Sequence, residues 1–361
     1  MSCGISIYFG LDNTMEENIK LLKDAYKLGF TRIFTSLHIP EANYNILKRE
    51  VKEFFNLAKN FDMDIISDIS PNTFKFLGIK DMDLSAIKDL GIKTIRIDFG
   101  YKEAEIAKIS HNPYNIKIQL NASTITEDFL NELDKYNPNY KNIDALHNFY
   151  PRRGTGISKE CLLEKNIMLT KRGIKIGAFI QSNNRKRSPL KDGLPTLEDH
   201  RNKPVYFAAN GLFAMGVDSV FIGDALPSYK ELKDLASLKS DEVMLRIIPK
   251  TKNNISLALL KNRYTSRTDE ARDAIRAAES RILIKDEKIY PENTIDRKYG
   301  DITIDNIDYG RYMGELQILI NDLEKDNRVN VVASVVKDDY FLLNYIKGGK
   351  HFSFKLLEIG D

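Results

Sequence analysis

The sequence predicts a (β/α)8 TIM barrel followed by a small β-rich barrel domain. Over the first two-thirds of the chain, short β-branched runs alternate with amphipathic helical stretches, and the strand-like runs number eight. Such alternation calls for parallel strands joined by crossover helices, and eight units are the number that closes a barrel. Gly29, Gly91, Gly173 and Gly216 each stand after a helical pattern and before a strand, where a left-handed residue ends a helix. An open doubly wound sheet would alternate too, but Phe9-Gly10-Leu11-Asp12-Asn13 after the first strand is not its Gly-x-Gly-x-x-Gly phosphate loop.

In chain order, barrel strands are expected to begin near Ile5, Arg32, Asp64, Thr94, Ile116, Asp144, Lys175 and Ser219, within a first domain of residues 1–240. After Lys239 the rhythm changes, and residues 241–361 form the second domain. There Val243 to Ile248, Ile255 to Leu260, Ile302 to Ile304, Leu316 to Ile320 and Val329 to Val336 read as strands of a small antiparallel barrel. Between them, a basic stretch from Arg263 adjoins a short helix expected over Asp273 to Arg281. Arg263, Arg267, Arg276 and Arg281 are candidates to cradle a phosphate. Interleaved Asp269, Glu270, Asp273 and Glu279 fit a solvated charged face equally well.

At 361 residues and 42% hydrophobic content, the chain has material for two unequal cores. Lys and Arg (54) nearly balance Asp and Glu (51), so nucleic acid is not an expected partner. The N-terminus lacks a basic segment followed by an apolar run, and no stretch of eighteen apolar residues occurs, so neither a membrane nor export is expected; the expected location is the cytoplasm. Cys3 and Cys161 read as free thiols, and five scattered histidines without His-Glu-x-x-His spacing lead us to expect no metal and no cofactor.

Alternation sorts the candidate site residues, because every second strand residue faces the lumen and working groups gather at the C-terminal strand ends. In Thr94 to Gly100 it sends Arg96 and Asp98 inward; in Asp64 to Pro71 it sends Asp68 and Ser70 inward. Two carboxylates, Asp68 and Asp98, on neighbouring strands are what glycoside hydrolysis needs, one to protonate the leaving oxygen and one to attack or direct water. The structural alternative is a network in which these aspartates cap helices or pair with Arg96. Lys117, Gln119, Asn121 and Ser123 alternate in the same way along strand five. Lys117 admits a Schiff-base aldolase or isomerase reading, but its early position favours a buried structural ion pair. Strand six ends in His147-Asn148-Phe149-Tyr150-Pro151-Arg152-Arg153, whose amide, imidazole, aromatic and guanidinium groups suit a phosphorylated sugar. Tyr8, Ser36 and His38 complete the expected lining. The segment from Gln181 to Arg201 reads as a lid, with Thr196 as a helix N-cap and Glu198 as a substrate-binding candidate.

Gly4-Ile5-Ser6-Ile7-Tyr8, Arg32-Ile33-Phe34-Thr35, His147-Asn148-Phe149-Tyr150-Pro151, Thr196-Leu197-Glu198-Asp199-His200-Arg201 and Gly314-Glu315-Leu316-Gln317-Ile318 together resemble the MupG-type 6-phospho-N-acetylmuramidases over nearly the whole chain. The resemblance implies a TIM barrel with a cyclophilin-like second domain, here expected to cover the barrel mouth. It implies cleavage of the β-1,4 bond of N-acetylmuramic acid 6-phosphate–N-acetylglucosamine, a disaccharide of cell-wall recycling. It does not assign acid and nucleophile: retaining, inverting and acetamido-assisted routes all fit Asp68 and Asp98. A non-catalytic carbohydrate-binding protein is the third alternative.

Overall fold

The computed structural model describes residues 2–36, 44–69, 83–97, 100–284 and 287–357. Asp98, Ser70 and His38 lie outside them. The chain divides into two compact units, Met1–Leu238 and Lys239–Asp361.

In the first unit, eight parallel strands close in sequence order: β1 (Ser2–Ile7), β2 (Arg32–Ser36), β3 (Asp64–Ile69), β4 (Ile92–Ile97), β5 (Lys117–Asn121), β6 (Ile143–Leu146), β7 (Lys175–Ile180) and β8 (Ser219–Ile222), with β1 bonded to both β2 and β8. Helices α1 (Met15–Lys27), α2 (Tyr44–Lys59), α3 (Leu84–Leu90), α4 (Glu103–Ser110), α5 (Glu127–Asp134), α6 (Lys159–Thr170), α7 (Val205–Ala214) and α8 (Tyr229–Ala236) follow the strands in turn. Local chemistry sets their starts: Thr14, Asp83, Thr126, Ser158 and Ser228 each accept a first-turn N–H on the side chain. At the other end, Gly91 takes φ +92°, and a Cβ there would lie 2.6 Å from the Lys59 side chain.

The lumen is filled in layers. Near the N-terminal strand ends, Arg32 donates to Asp64 (2.9 Å) and Asp144 (2.8 Å), while Thr94 and Gln119 donate to the remaining carboxylate oxygens at 2.7 and 2.8 Å. Above this network Phe34, Phe179 and Phe221 form a ladder of ring contacts, with centroids 5.1 and 5.6 Å apart. Gly4 leaves room for that packing: a Cβ on it would stand 2.1 Å from the Phe221 ring. Lys117 departs from expectation. It is exposed at the first residue of β5, the N-terminal end of the strand, where solvent can reach it, and no ion pair to it occurs among the described residues.

The second unit is built on β9 (Glu242–Pro249), β10 (Arg263–Thr265), β11 (Ala274–Arg276), β12 (Asp301–Asp305), β13 (Leu316–Leu319), β14 (Val329–Val335) and β15 (His351–Leu356), ordered β10-β15-β9-β14-β12-β13-β11. Its outer strands meet through Arg267 N–H to Arg276 O (3.0 Å) and Ala278 N–H to Thr265 O (2.9 Å), so the sheet curls back on itself. Three expectations are corrected here. The sheet is mixed, since β15 runs parallel to β9. The run Ile255 to Leu260 is not a strand: it forms a helix, α9 (Asn254–Leu259), with Leu260 as its C-cap, because the Asn253 side chain caps its start with bonds to Ile255 N and Ser256 N. Where a helix is expected over Asp273 to Arg281, Ala274–Arg276 instead form strand β11, paired with β13, and the chain turns helical only at Ser280–Leu283, as α10. Cross-strand pairing outweighed local propensity there.

Candidate active site at the barrel rim

The C-terminal ends of β3, β4 and β6 bring three predicted residues together. Asp68 and Arg96 are register partners, and Arg96 Nη1–H donates to Asp68 Oδ1 at 2.9 Å. The other terminal nitrogen of Arg96 donates to Asn148 Oδ1. Arg96 is almost fully buried, whereas the Asp68 side chain keeps 23% exposure, so the carboxylate is the member of the pair that the lumen can reach. Ser36 stands beside Asp68 in the register and is half-buried.

Asn148 is held from three sides. Its N–H donates to Ser123 Oγ (2.9 Å), its carbonyl accepts from Thr196 Oγ1 (2.9 Å), and its side-chain oxygen takes Arg96. Behind it a buried relay fixes the geometry: Ser123 Oγ lies 3.1 Å from His147 Nδ1, and His147 Nε2 lies 3.0 Å from Asn166 Oδ1. Asn166 gives its amide N–H to Met215 O at 3.1 Å, so its oxygen must accept, and the His147 proton sits on Nε2. Burial pushes the His147 imidazole down to about 4, which keeps it neutral at physiological pH. His147, fully buried, therefore orients Asn148 rather than meeting a ligand itself.

Other predicted residues have structural partners. Gln119 is wholly buried in the Arg32 network. Asn121 accepts from Ser123 N (3.1 Å), closing the turn after β5. Glu198 accepts from Gly154 N (2.9 Å), Gly156 N (2.8 Å) and Arg201; the Arg201 bonds come first among the causes that hold its carboxyl down to about 2. It secures the turn that carries exposed Arg152, while Arg201 also donates to the Tyr150 carbonyl at 2.9 Å. Thr196 is not an N-cap: its hydroxyl joins β7 to Asn148, accepting from Phe179 N at 2.9 Å. In the second unit, Arg263 pairs with Asp241 and Glu242, Arg267 and Arg276 share Asp269, and Arg281 lies 3.9 Å from Glu315.

Two rim residues went unnoticed in the sequence. Arg187 lies in the basic segment after β7, and Asp224 stands just past the end of β8, much as Asp68 stands near the end of β3, a strand-end signal that could have found it. Asp224 is fully buried and accepts the N–H groups of Ser182 (2.9 Å), Arg187 (3.0 Å) and Leu194 (3.2 Å), tying the loop after β7 to the barrel. Burial pushes its carboxyl up to about 6 despite those donors. The folded protein thus holds this proton more tightly than the unfolded chain, and the group's contribution to stability falls as pH rises from about 4 to about 6. Asp224→Asn should remove that slope. In urea titrations, wild type is expected to lose on the order of 2–3 kcal/mol relative to the variant across this window; a difference independent of pH would contradict the assignment.

Among the described residues, no group of three or more His, Cys, Asp or Glu side chains is arranged to hold a metal ion, and no helix is long and apolar enough to cross a membrane.

Comparisons with known proteins agree along the chain. Residues 3–237 match the model of the N-terminal part of 6-phospho-N-acetylmuramidase, and residues 243–355 match that of its C-terminal part. An uncharacterized B. cereus protein of known crystal structure is 31% identical, with 98% of this chain and 99% of that one covered at a TM-score of 0.83. A conserved Enterococcus faecalis protein of unknown function is 34% identical, with 100% and 97% covered at a TM-score of 0.69. No curated protein matches. With both halves matched in order, the chain belongs to the 6-phospho-N-acetylmuramidase family.

Proposed function

We propose that this protein hydrolyses the β-1,4 bond between N-acetylmuramic acid 6-phosphate and N-acetylglucosamine, in the cytoplasm, during recycling of cell-wall fragments. The observation that carries the reading is the match of both halves to the muramidase family, and the rim chemistry is compatible with it. Asp68 presents an ion-paired carboxylate to the lumen at the C-terminal strand ends, where barrel enzymes do their chemistry. Facing Arg96, it suits the ionised role: attacking the anomeric carbon, directing water to it, or orienting the substrate's acetamido oxygen. Asp98, two residues beyond Arg96 in the sequence, is the candidate for the proton donor. In the net reaction, the bond from the anomeric carbon to O4 of N-acetylglucosamine breaks. Water supplies a hydroxyl to that carbon and a proton to O4. The aldolase reading has less support, because Lys117 stands exposed at the N-terminal end of β5, the opposite end from Asp68.

The test is hydrolysis of the phosphorylated disaccharide beside its unphosphorylated twin. Cleavage confined to, or strongly favouring, the phosphorylated compound is expected. No cleavage of either over long incubation would reject the hydrolase reading in favour of a binding protein.

A further inference from the structure

A second arginine stands at the same end of the barrel, and no acidic side chain pairs with it among the described residues. The Arg187 guanidinium carbon lies 4.8 Å from the Tyr8 ring centroid and 5.4 Å from that of Phe149. Its Nε–H donates to Ser188 O at 3.2 Å and the guanidinium also acts on the Tyr8 hydroxyl, which still leaves N–H donors on the terminal nitrogens for an anion. The nearby carboxylates are already engaged: Asp12 takes the Ser188 N–H (2.7 Å) and hydroxyl (2.6 Å), and Asp224 takes three backbone N–H groups. Arg96 differs, since Asp68 balances its charge.

The segment around Arg187 is fastened at several points. Arg185 pairs with Glu17 at 2.8 Å and bonds Leu226 O through its N–H at 3.1 Å, while the Tyr8 hydroxyl donates to Gly223 O at 2.7 Å and so fixes the ring on which Arg187 lies. Burial pushes the Tyr8 phenol up, so it remains a neutral donor. An arginine held by two aromatic faces has little further freedom to lose on binding, and its planar fork matches the oxygens of a phosphate or carboxylate. Its place in the fold favours phosphate: in (β/α)8 barrels the loops after strands seven and eight frequently form the phosphate site. Arg187 is on the first of these loops, and its N–H is anchored by Asp224 at the start of the second.

We propose that Arg187 reads the 6-phosphate of the substrate and sets the preference for phosphorylated sugars. Tyr8 and Asp224 are its positioning residues. The inference rests on the proposed muramidase reading, and it moves phosphate recognition from the second-unit arginines to the barrel.

Calorimetric titration of the full chain with N-acetylmuramic acid 6-phosphate, N-acetylmuramic acid and N-acetylglucosamine 6-phosphate tests it, comparing wild type with Arg187→Met and Arg187→Lys. Methionine keeps an apolar contact with both rings, and thermal melting checks that the variant is folded. Wild type should bind the phosphorylated sugars more tightly. Arg187→Met should weaken both by about 10- to 100-fold and leave N-acetylmuramic acid unchanged, with partial recovery in Arg187→Lys. If wild type discriminates and Arg187→Met still does, the assignment to Arg187 falls and the muramidase reading stands. Weakening confined to the two sugars that carry the lactyl group would assign Arg187 to that carboxylate and overturn the phosphate role. If wild type binds N-acetylmuramic acid and its 6-phosphate equally, both readings fall.

Discussion

Asp68→Asn is expected to lower kcat/KM for the phosphorylated disaccharide by about 10²–10⁴-fold, the range in which a positioned carboxylate that takes a proton from the attacking water contributes. The substitution keeps the size of the side chain and an acceptor for Arg96 but removes the negative oxygen. Because Asp68 retains 23% exposure while Arg96 is nearly buried, the change at the lumen is chiefly one of charge. Arg96→Met should be damaging for a different reason. It removes the Arg96 bonds to Asp68 and Asn148, so the loss should appear in kcat with the protein still folded. Initial rates of wild type, Asp68→Asn and Asp98→Asn on one substrate decide the matter. Undiminished turnover by Asp68→Asn would remove it from the chemistry and leave a structural ion pair.

Arg32→Met is expected to cost about 3–5 kcal/mol of stability, read from urea unfolding, because it leaves two lumen carboxylates without their counter-charge. Arg32 bonds Asp64 and Asp144 at once, and Asp144 is only 8% exposed at its side chain, so water cannot replace the lost donor there. The surface pair Lys20–Asp24 makes the control: with the lysine 77% exposed, its removal should cost no more than about 0.5 kcal/mol. Similar small costs at both positions would mean that the basal network is not what holds the lower lumen together.

The outline of the barrel could be read along the chain because its determinants are local. A period of two in Ile33, Thr35, Ile65, Ser67, Ile95 and Ile97 marks which strand residues face outward, and the caps at Thr14 and Ser228 mark where helices begin. The same alternation placed Asp68 and Arg96 on the lumen side without any knowledge of their contact, since parity is a property of the strand alone. Side-chain partners depend instead on residues distant in sequence, and there tertiary structure decided. Glu198 and His147 have the composition of ligand-binding groups, yet Gly154, Gly156, Arg201, Ser123 and Asn166 take up their hydrogen bonds. Arg187 looks like one more charge in a polar loop until closure of the barrel sets it on Tyr8 and Phe149. In the second unit, pairing with β13 made a strand of a helical pattern. Strand parity and helix caps follow from neighbours within a few residues, whereas the partner that neutralises, buries or leaves free a charged group is chosen by the fold.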